Sequence, residues 1–162
     1  MFMSLPMPTL EELIKQSRFR NERQKAIVSI IYANNLINSH FEEIFKKFDL
    51  TLQQYNALRI LRGQYPTPCT INLIRERMLD KMSDASRIVE RLRKAGLAER
   101  LTSQKDRRAV DVLITQKGLG LLEQLDHLQD EMDKPAIYLS DTEAQQLSTI
   151  IQKIFGAMVE RH

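Results

Sequence analysis

The residues with the clearest chemical potential lie in the middle of the chain, where short polar side chains alternate with long cations. The short ones near residue 83 can approach base edges in a duplex, and the Arg87 guanidinium can reach a guanine edge or a phosphate. The later cations are placed for phosphate contact, although a solvated helix face explains them equally well when they are taken alone. The candidate nucleic-acid-binding residues here are Ser83, Asp84, Ser86, Arg87, Arg91 and Lys94.

A second charged group follows in the polar stretch SQKDRRA at residues 103–109. Cations on such a loop have little structural use, whereas the negative potential of a minor groove attracts guanidinium groups. Asp106 can brace one of the arginines. The candidate DNA-contacting residues of this loop are Lys105, Asp106, Arg107 and Arg108.

Other reactive groups point to no catalytic site. Glu123, His127 and Glu131 stand four residues apart and could bind a divalent ion, but a solvated acidic stripe is the more common meaning of this spacing. The single cysteine, Cys69, excludes an internal disulfide and a multi-cysteine zinc site, and nothing adjacent in sequence favours a reactive thiolate. With no glycine-rich phosphate loop and no H-E-x-x-H motif, we expect neither an enzyme nor a cofactor.

Charge is distributed unevenly along the chain, although its net value is only +3. Residues 72–108 hold eleven basic and six acidic side chains, whereas residues 109–152 hold two basic and eight acidic ones. One surface is therefore expected to meet a polyanion while another remains solvated.

Helical periodicity dominates the first half of the chain. Between Pro8 and Gly63 apolar residues recur at helical spacing, which predicts a long helix over about residues 10–48 that breaks once or extends into a second subunit. Thr51 and Gln54 form a capping box that opens the next helix, and Gly63 is expected to end it. Thr70 is expected to cap the helix after that.

The candidate residues of the middle segment lie on a predicted helix and on the hairpin that is predicted to follow it. Ser83 is the predicted N-cap of a helix with one apolar stripe, and Gly96 is its predicted stop. Beyond it the period changes to two, which predicts strands over residues 98–102 and 110–115 joined by the charged loop. Two compact helices followed by such a hairpin are typical of a winged helix-turn-helix.

Two further helices are expected at the carboxyl end. One runs from Thr115 with Leu121, Leu125, Leu128 and Met132 on one side until Pro135, and Ser140 with Glu143 caps the last one. The apolar stripes at both ends of the chain exceed what one small domain can bury, so we expect a homodimer.

The segment SDASRIVERLRKAGLAERLTSQKDRRAVDVLITQKG, residues 83–118, resembles the MarR family of transcriptional regulators. The resemblance rests on the S-x-x-S-R-x-V-x-R-L pattern, K-x-G-L, the D-R-R of the hairpin loop and I-T-x-K-G. It implies an intertwined, roughly triangular dimer that binds a palindromic operator and often releases it when a small molecule binds. The preceding turn, MLDKM, lacks the glycine common in the family, and the sole cysteine stands far from the amino-terminal position used by the family's redox sensors.

The expected fold is mainly α with a small β-hairpin wing, in one domain spanning residues 1–162. Residues 49–115 form the winged helix part, and residues 1–48 and 116–162 supply dimerisation helices. The expected function is that of a sequence-specific double-stranded DNA-binding transcriptional regulator, a dimeric repressor released by a small aromatic or lipophilic effector. The alternative is a helical protein-interaction module without DNA binding. The candidate effector-binding residues are Ile37, His40, Phe41 and Tyr55.

The same sequence predicts a cytoplasmic protein. Its longest apolar stretches fall far short of the ~20 residues that a membrane span requires. The first residues lack the basic and apolar regions of a signal peptide.

Overall fold

The computed structural model describes residues 7–102 and 110–159. The elements of the first part are α1 (Leu10–Ile14), α2 (Glu22–Lys46), α3 (Leu52–Gln64), β1 (Cys69–Thr70), α4 (Ile71–Arg77), α5 (Ala85–Lys94) and β2 (Ala98–Thr102). Those of the second part are β3 (Val110–Ile114), α6 (Gln116–Asp126), α7 (Gln129–Met132), a short 3-10 helix (Lys134–Ala136) and α8 (Asp141–Val159). The predicted fold class, mainly α with a small β wing, is confirmed.

The amino-terminal helix breaks once, as the length of its pattern predicts. α1 ends at Lys15, which has a left-handed backbone (φ 53°), and α2 begins after Asn21, whose side chain accepts the Gln24 amide. Only the carboxyl end of α2 enters the core, through Ile44 and Phe45. Most of α2 therefore has no apolar layer against it within the described chain.

The capping box that opens α3 is confirmed. The predicted end of this helix at Gly63 is wrong, because α3 continues to Gln64. Thr51 accepts the Gln54 amide while the Gln54 side chain accepts the Thr51 amide. Gly63 lies inside the helix, because a glycine ends a helix only when it turns left-handed, and this one does not. Helical geometry stops instead at Tyr65, the residue before Pro66, where proline disfavours the helical region.

In the described part of the chain the sheet has three antiparallel strands in the order β1-β3-β2, one more than predicted. In β1, Cys69 pairs with Val112 and Thr70 pairs with Asp111. Two residues are too few to show alternation, so this strand leaves no periodic signal in the sequence. The hairpin pairs Ala98 with Ile114 and Thr102 with Val110, which confirms both predicted strands except that Thr115 caps α6 instead of ending β3.

The helix predicted from Thr115 to Pro135 is divided. α6 ends at Asp126, and α7 restarts after Leu128. The break removes the common face that a metal site on Glu123, His127 and Glu131 would need. Within the residues described, no group of His, Cys, Asp and Glu is arranged to hold a metal ion.

The core fills the space between α3, α5, the sheet and α6. Its largest fully buried side chains come from these elements, from the carboxyl end of α2 and from α4 with its C-cap: Phe45, Leu58, Leu61, Ile74, Met78, Val89, Leu92, Val112, Ile114, Leu122 and Leu125. At one end Phe45 stacks on Tyr55 with ring centroids 4.5 Å apart. On the outside, Arg62 of α3 donates to both carboxylate oxygens of Asp126 on α6, at 2.6 and 3.1 Å, and this pairing lowers the pKa of Asp126.

The last helix opens with the predicted capping box, in which Ser140 and Glu143 exchange hydrogen bonds. Its apolar side chains remain in solvent within the single chain: Ile150 is 58% exposed and Phe155 is 59% exposed. On α2, Ile31 is similarly 56% exposed. None of the helices in the described ranges is both long and apolar enough to cross a membrane.

Gly118 lies where two parts of the backbone approach closely. A Cβ at this position would lie 2.3 Å from the Leu97 carbonyl oxygen and 2.7 Å from a side-chain carbon of Ile114. α6 therefore begins against the junction of α5 and β2, and only glycine permits that contact.

Replacing Gly118 by alanine should lower the free energy of unfolding by about 1 to 3 kcal/mol, because a backbone carbonyl cannot move aside. The control is Gly120→Ala in the same helix, where nothing lies within 4 Å of an added Cβ. Alanine there should raise stability by up to about 1 kcal/mol. Urea unfolding of both variants measures the difference, and equal stabilities would contradict the close approach.

Candidate nucleic-acid interface

Helix α5 has two chemically different sides. Ala85, Ile88, Val89 and Leu92 are buried, and the helix packs on α3, α4 and β2. The exposed side carries the side chains of Ser86, Arg87, Arg91 and Lys94. A helix anchored by one side and polar on the other is what a DNA major groove accepts.

The predicted N-cap, Ser83, is wrong by one residue. Asp84 caps α5, and its Oδ1 accepts the Arg87 amide at 3.0 Å. Ser83 lies in the turn, where its hydroxyl donates to Asp80 Oδ2 at 2.8 Å. Both serine and aspartate cap helices well, so the local sequence did not distinguish Ser83 from Asp84. Ser83 is not the cap because its hydroxyl is bonded to Asp80. Asp84 thus has a structural task besides any base contact.

The turn before α5 is held by side chains instead of by a glycine. Asp80 Oδ1 accepts the Met82 amide at 2.9 Å. The hydrogen bond from the Ser83 hydroxyl, followed by the one from the Met82 amide, lowers the pKa of Asp80. Asn56 of α3 accepts the Leu79 amide, also at 2.9 Å. No residue of the turn has a positive φ, so the missing family glycine is not needed here. The Asp80-x-x-Ser83 spacing is a turn pattern that sequence reasoning could have used.

The cations of α5 differ in how much they are engaged. Arg93 donates to Glu90 at 2.8 Å, and Arg100 of β2 lies 3.6 Å from the same carboxylate. The Arg93 hydrogen bond, followed by the charges of both arginines, lowers the pKa of Glu90. Arg87 and Arg91 form no ion pair with another residue in the described ranges. They border a shallow depression of about 190 Å³ together with Asp84 and Ile88.

The carboxyl end of α5 is tied to α6 by hydrogen bonds that the sequence pattern did not reveal. Gly96 has a φ of 73° and ends the helix as predicted. Lys117 Nζ donates to the Ala95 carbonyl at 2.7 Å, and the Thr115 hydroxyl donates to the Gly96 carbonyl at 2.7 Å. These contacts join α5 and the hairpin base to the start of α6.

Strand β2 both follows α5 and packs on it. The four loop candidates, Lys105, Asp106, Arg107 and Arg108, lie outside the described residues. Their assignment to DNA contact remains a prediction.

The four candidate effector-binding residues do not share one cavity. Ile37 and His40 border a cleft of about 400 Å³ between α2 and Pro135. Phe41 borders a different cleft of about 910 Å³, between α2 and the turn before α5. Tyr55 is partly buried against the core, where its ring stacks on Phe45 and its hydroxyl accepts from Arg59 at 2.8 Å. Ile37 and His40 therefore lie on a different side of α2 from Phe41, and their assignment to effector binding remains a prediction.

Cys69 is buried in β1, and this burial raises the pKa of its thiol. A raised pKa disfavours the thiolate, the form that reacts with oxidants. The geometry agrees with the prediction that this residue is no sensor.

Comparison with known proteins gives consistent results. Residues 48–109 match the model of the MarR family. The HTH-type transcriptional regulator MgrA of Staphylococcus aureus is 26% identical over 141 residues, or 86% of this chain and 94% of MgrA. A MarR transcription factor from Planctomyces limnophilus has a similar structure, with a TM-score of 0.64 and 29% identity over 83% of this chain and 98% of that one.

A third similarity concerns the fold. The crystal structure of a mutant MarR from E. coli complexed with operator DNA has a TM-score of 0.73. Its identity is 24%, and the match covers 85% of this chain and 99% of that chain.

The assignment of Asp84 as the N-cap of α5 predicts that two substitutions of this residue change the stability of the protein by different amounts. Asp84→Ala should cost about 1 kcal/mol of unfolding free energy, because the Arg87 amide loses its acceptor. Asp84→Asn should retain nearly all of the stability, since asparagine caps equally well. The control is Ser83→Ala, which leaves the cap intact. Urea unfolding checks all three, and a Ser83→Ala loss larger than that of Asp84→Ala would contradict the assignment.

Proposed function

We propose that this chain, which is a MarR family transcriptional regulator, binds DNA by placing α5 in the major groove of an operator. The observation that carries this proposal is the two-sided character of α5. Its apolar side is buried in the core, and Ser86, Arg87, Arg91 and Lys94 face solvent.

Position along the helix divides the work between these side chains. The first turn of a recognition helix contacts base edges, so Ser83, Asp84, Ser86 and Arg87 are assigned to sequence reading. A guanidinium that no described carboxylate engages, such as that of Arg87, is free to bond a guanine edge bidentately. Arg91 and Lys94 lie one and two turns later, where contact with phosphates orients the helix without reading sequence.

The hairpin loop supplies the second contact in this proposal. Lys105, Arg107 and Arg108 enter an adjacent minor groove, where a narrow A·T-rich segment concentrates negative potential, and Asp106 braces one arginine. The support is the position of β2 beside α5 and the composition of the loop.

Homodimerisation through the terminal helices completes the site. The exposed apolar side chains of α2 and α8 need a cover, and a second copy of the chain offers the same surfaces. A twofold dimer presents two α5 helices, which fits a palindromic operator with half-sites ~34 to 36 Å apart. Such a dimer acts in the cytoplasm as a repressor.

Release by a small aromatic or lipophilic molecule is the final part of the proposal. The cleft beside Ile37 and His40 supports it, since apolar side chains, one imidazole and the Lys134 side chain line a volume of ligand size. His40 Nε2 lies 2.7 Å from the Glu131 carbonyl oxygen, so a molecule bound there would contact the link between α2 and α7.

The direct test is retention of duplex DNA by the purified protein at several salt concentrations. Counterion release makes the affinity fall steeply as salt rises. A flat salt response without retention of any genomic fragment would favour a protein-interaction module and overturn the proposal.

Arg87→Ala should lower affinity for the preferred site by about 1 to 3 kcal/mol and relax one base preference. Arg91→Ala should instead weaken binding to all sequences alike, as loss of a phosphate contact does. Arg23→Ala, an exposed arginine at the start of α2, serves as the control and should change neither quantity. Fluorescence anisotropy on preferred and scrambled duplexes separates the two roles, and an equal loss on scrambled DNA would rule out base reading by Arg87.

The dimer assignment predicts that Ile150→Asp produces monomers. A carboxylate on the apolar side of α8 would be buried unpaired in the interface, which carries a large cost. Gln152→Asp, on the same helix, should leave the dimer intact. Sedimentation at micromolar concentration measures both, and a stable wild-type monomer would contradict the assignment.

A further inference from the structure

The turn before α5 carries two apolar side chains that the described part of the molecule leaves in solvent. Met82 is 93% exposed and Leu79 is 82% exposed. These are the two largest exposed fractions among the large apolar side chains of the described residues. Neither side chain contributes to the core.

The backbone beneath these side chains is fixed. Asp80 accepts the Met82 amide at 2.9 Å and the Ser83 hydroxyl at 2.8 Å, while Asn56 accepts the Leu79 amide at 2.9 Å. Ser83 also donates its own amide to the Asp80 carbonyl at 3.3 Å. Met82 therefore projects from a defined point, with its side chain free to adapt.

The two side chains border different surroundings. Leu79 lines the cleft that also contains Phe41 and Leu52, on the side of α2. Met82 does not line that cleft, and it stands two residues before the N-cap of α5. Met82 thus lies just before the amino-terminal end of α5, the helix that carries Ser86 and Arg87.

We propose that Met82 determines specificity by contacting the C5 methyl group of a thymine next to the bases that Ser86 and Arg87 read. This inference rests on the proposed function. Among the groups on the major-groove edges of the four bases, the thymine methyl is the apolar one, and an apolar side chain is what recognises it. Methionine suits the task, because its unbranched, polarisable side chain adapts to an irregular surface.

The experiment begins with selection of the preferred site from random duplexes by the purified protein. Each thymine of that site is then replaced singly by deoxyuridine, which lacks only the methyl group. At one position in each half-site, deoxyuridine should weaken wild-type binding about fourfold, the fold-change that corresponds to burial of one methyl group. Met82→Ala should bind the thymine site about that much more weakly and should respond equally to thymine and deoxyuridine.

Leu79→Ala is the matched control, since it shortens an exposed apolar side chain of the same turn. It should keep the wild-type thymine dependence, and Met82→Leu should restore part of it. Equal wild-type affinity for thymine and deoxyuridine at every position, or full thymine dependence in Met82→Ala, would overturn this inference while DNA binding stands. Failure of the wild type to bind any duplex would instead overturn the proposed function. Urea unfolding of Met82→Ala should match the wild type, because the described residues leave the Met82 side chain almost fully exposed.

Discussion

Everything at the interface depends on the burial of one side of α5. Four small or branched apolar residues hold the helix against α3, α4 and β2, and only because that side is held does the other side present side chains in a fixed order. Anchoring is strongest in the middle, where Val89 and Leu92 are fully buried. At its two ends the helix is held by polar contacts, through the Asp84 cap at its start and through the hydrogen bond from Lys117 to the Ala95 carbonyl at its finish.

Those polar end contacts connect the interface to the rest of the chain. The Ala95 and Gly96 carbonyls accept hydrogen bonds from Lys117 and Thr115, at the start of α6. The ion pair between Arg62 and Asp126 in turn joins α6 to α3. Exposed ion pairs contribute little to stability, so this pair does more to fix the orientation of α6 relative to α3 than to stabilise the fold. A change in the position of α6 would therefore act on the carboxyl end of α5 through these two backbone carbonyls.

The sequence predicted the features that depend on a few adjacent residues. The capping boxes at Thr51 and Ser140, the stop at Gly96 and both hairpin strands each follow from a local rule, and each is present. The features it missed depend on residues distant in the chain. β1 exists because β3 pairs with it, and Ser83 is no cap because Asp80 engages its hydroxyl. The sequence also did not show that Ile37 and His40 border one cleft while Phe41 borders another, because that depends on what packs on each side of α2.

The burial of Cys69 also has a practical consequence. It is the only cysteine in the chain, its side chain is buried, and that burial raises the pKa of its thiol, which disfavours the reactive thiolate. A cysteine introduced at an exposed position of α5 would therefore take up a spin label or a dye selectively. In a symmetric pair of subunits the two probes would report the separation of the two helices by resonance spectroscopy, with the native residue left unaltered.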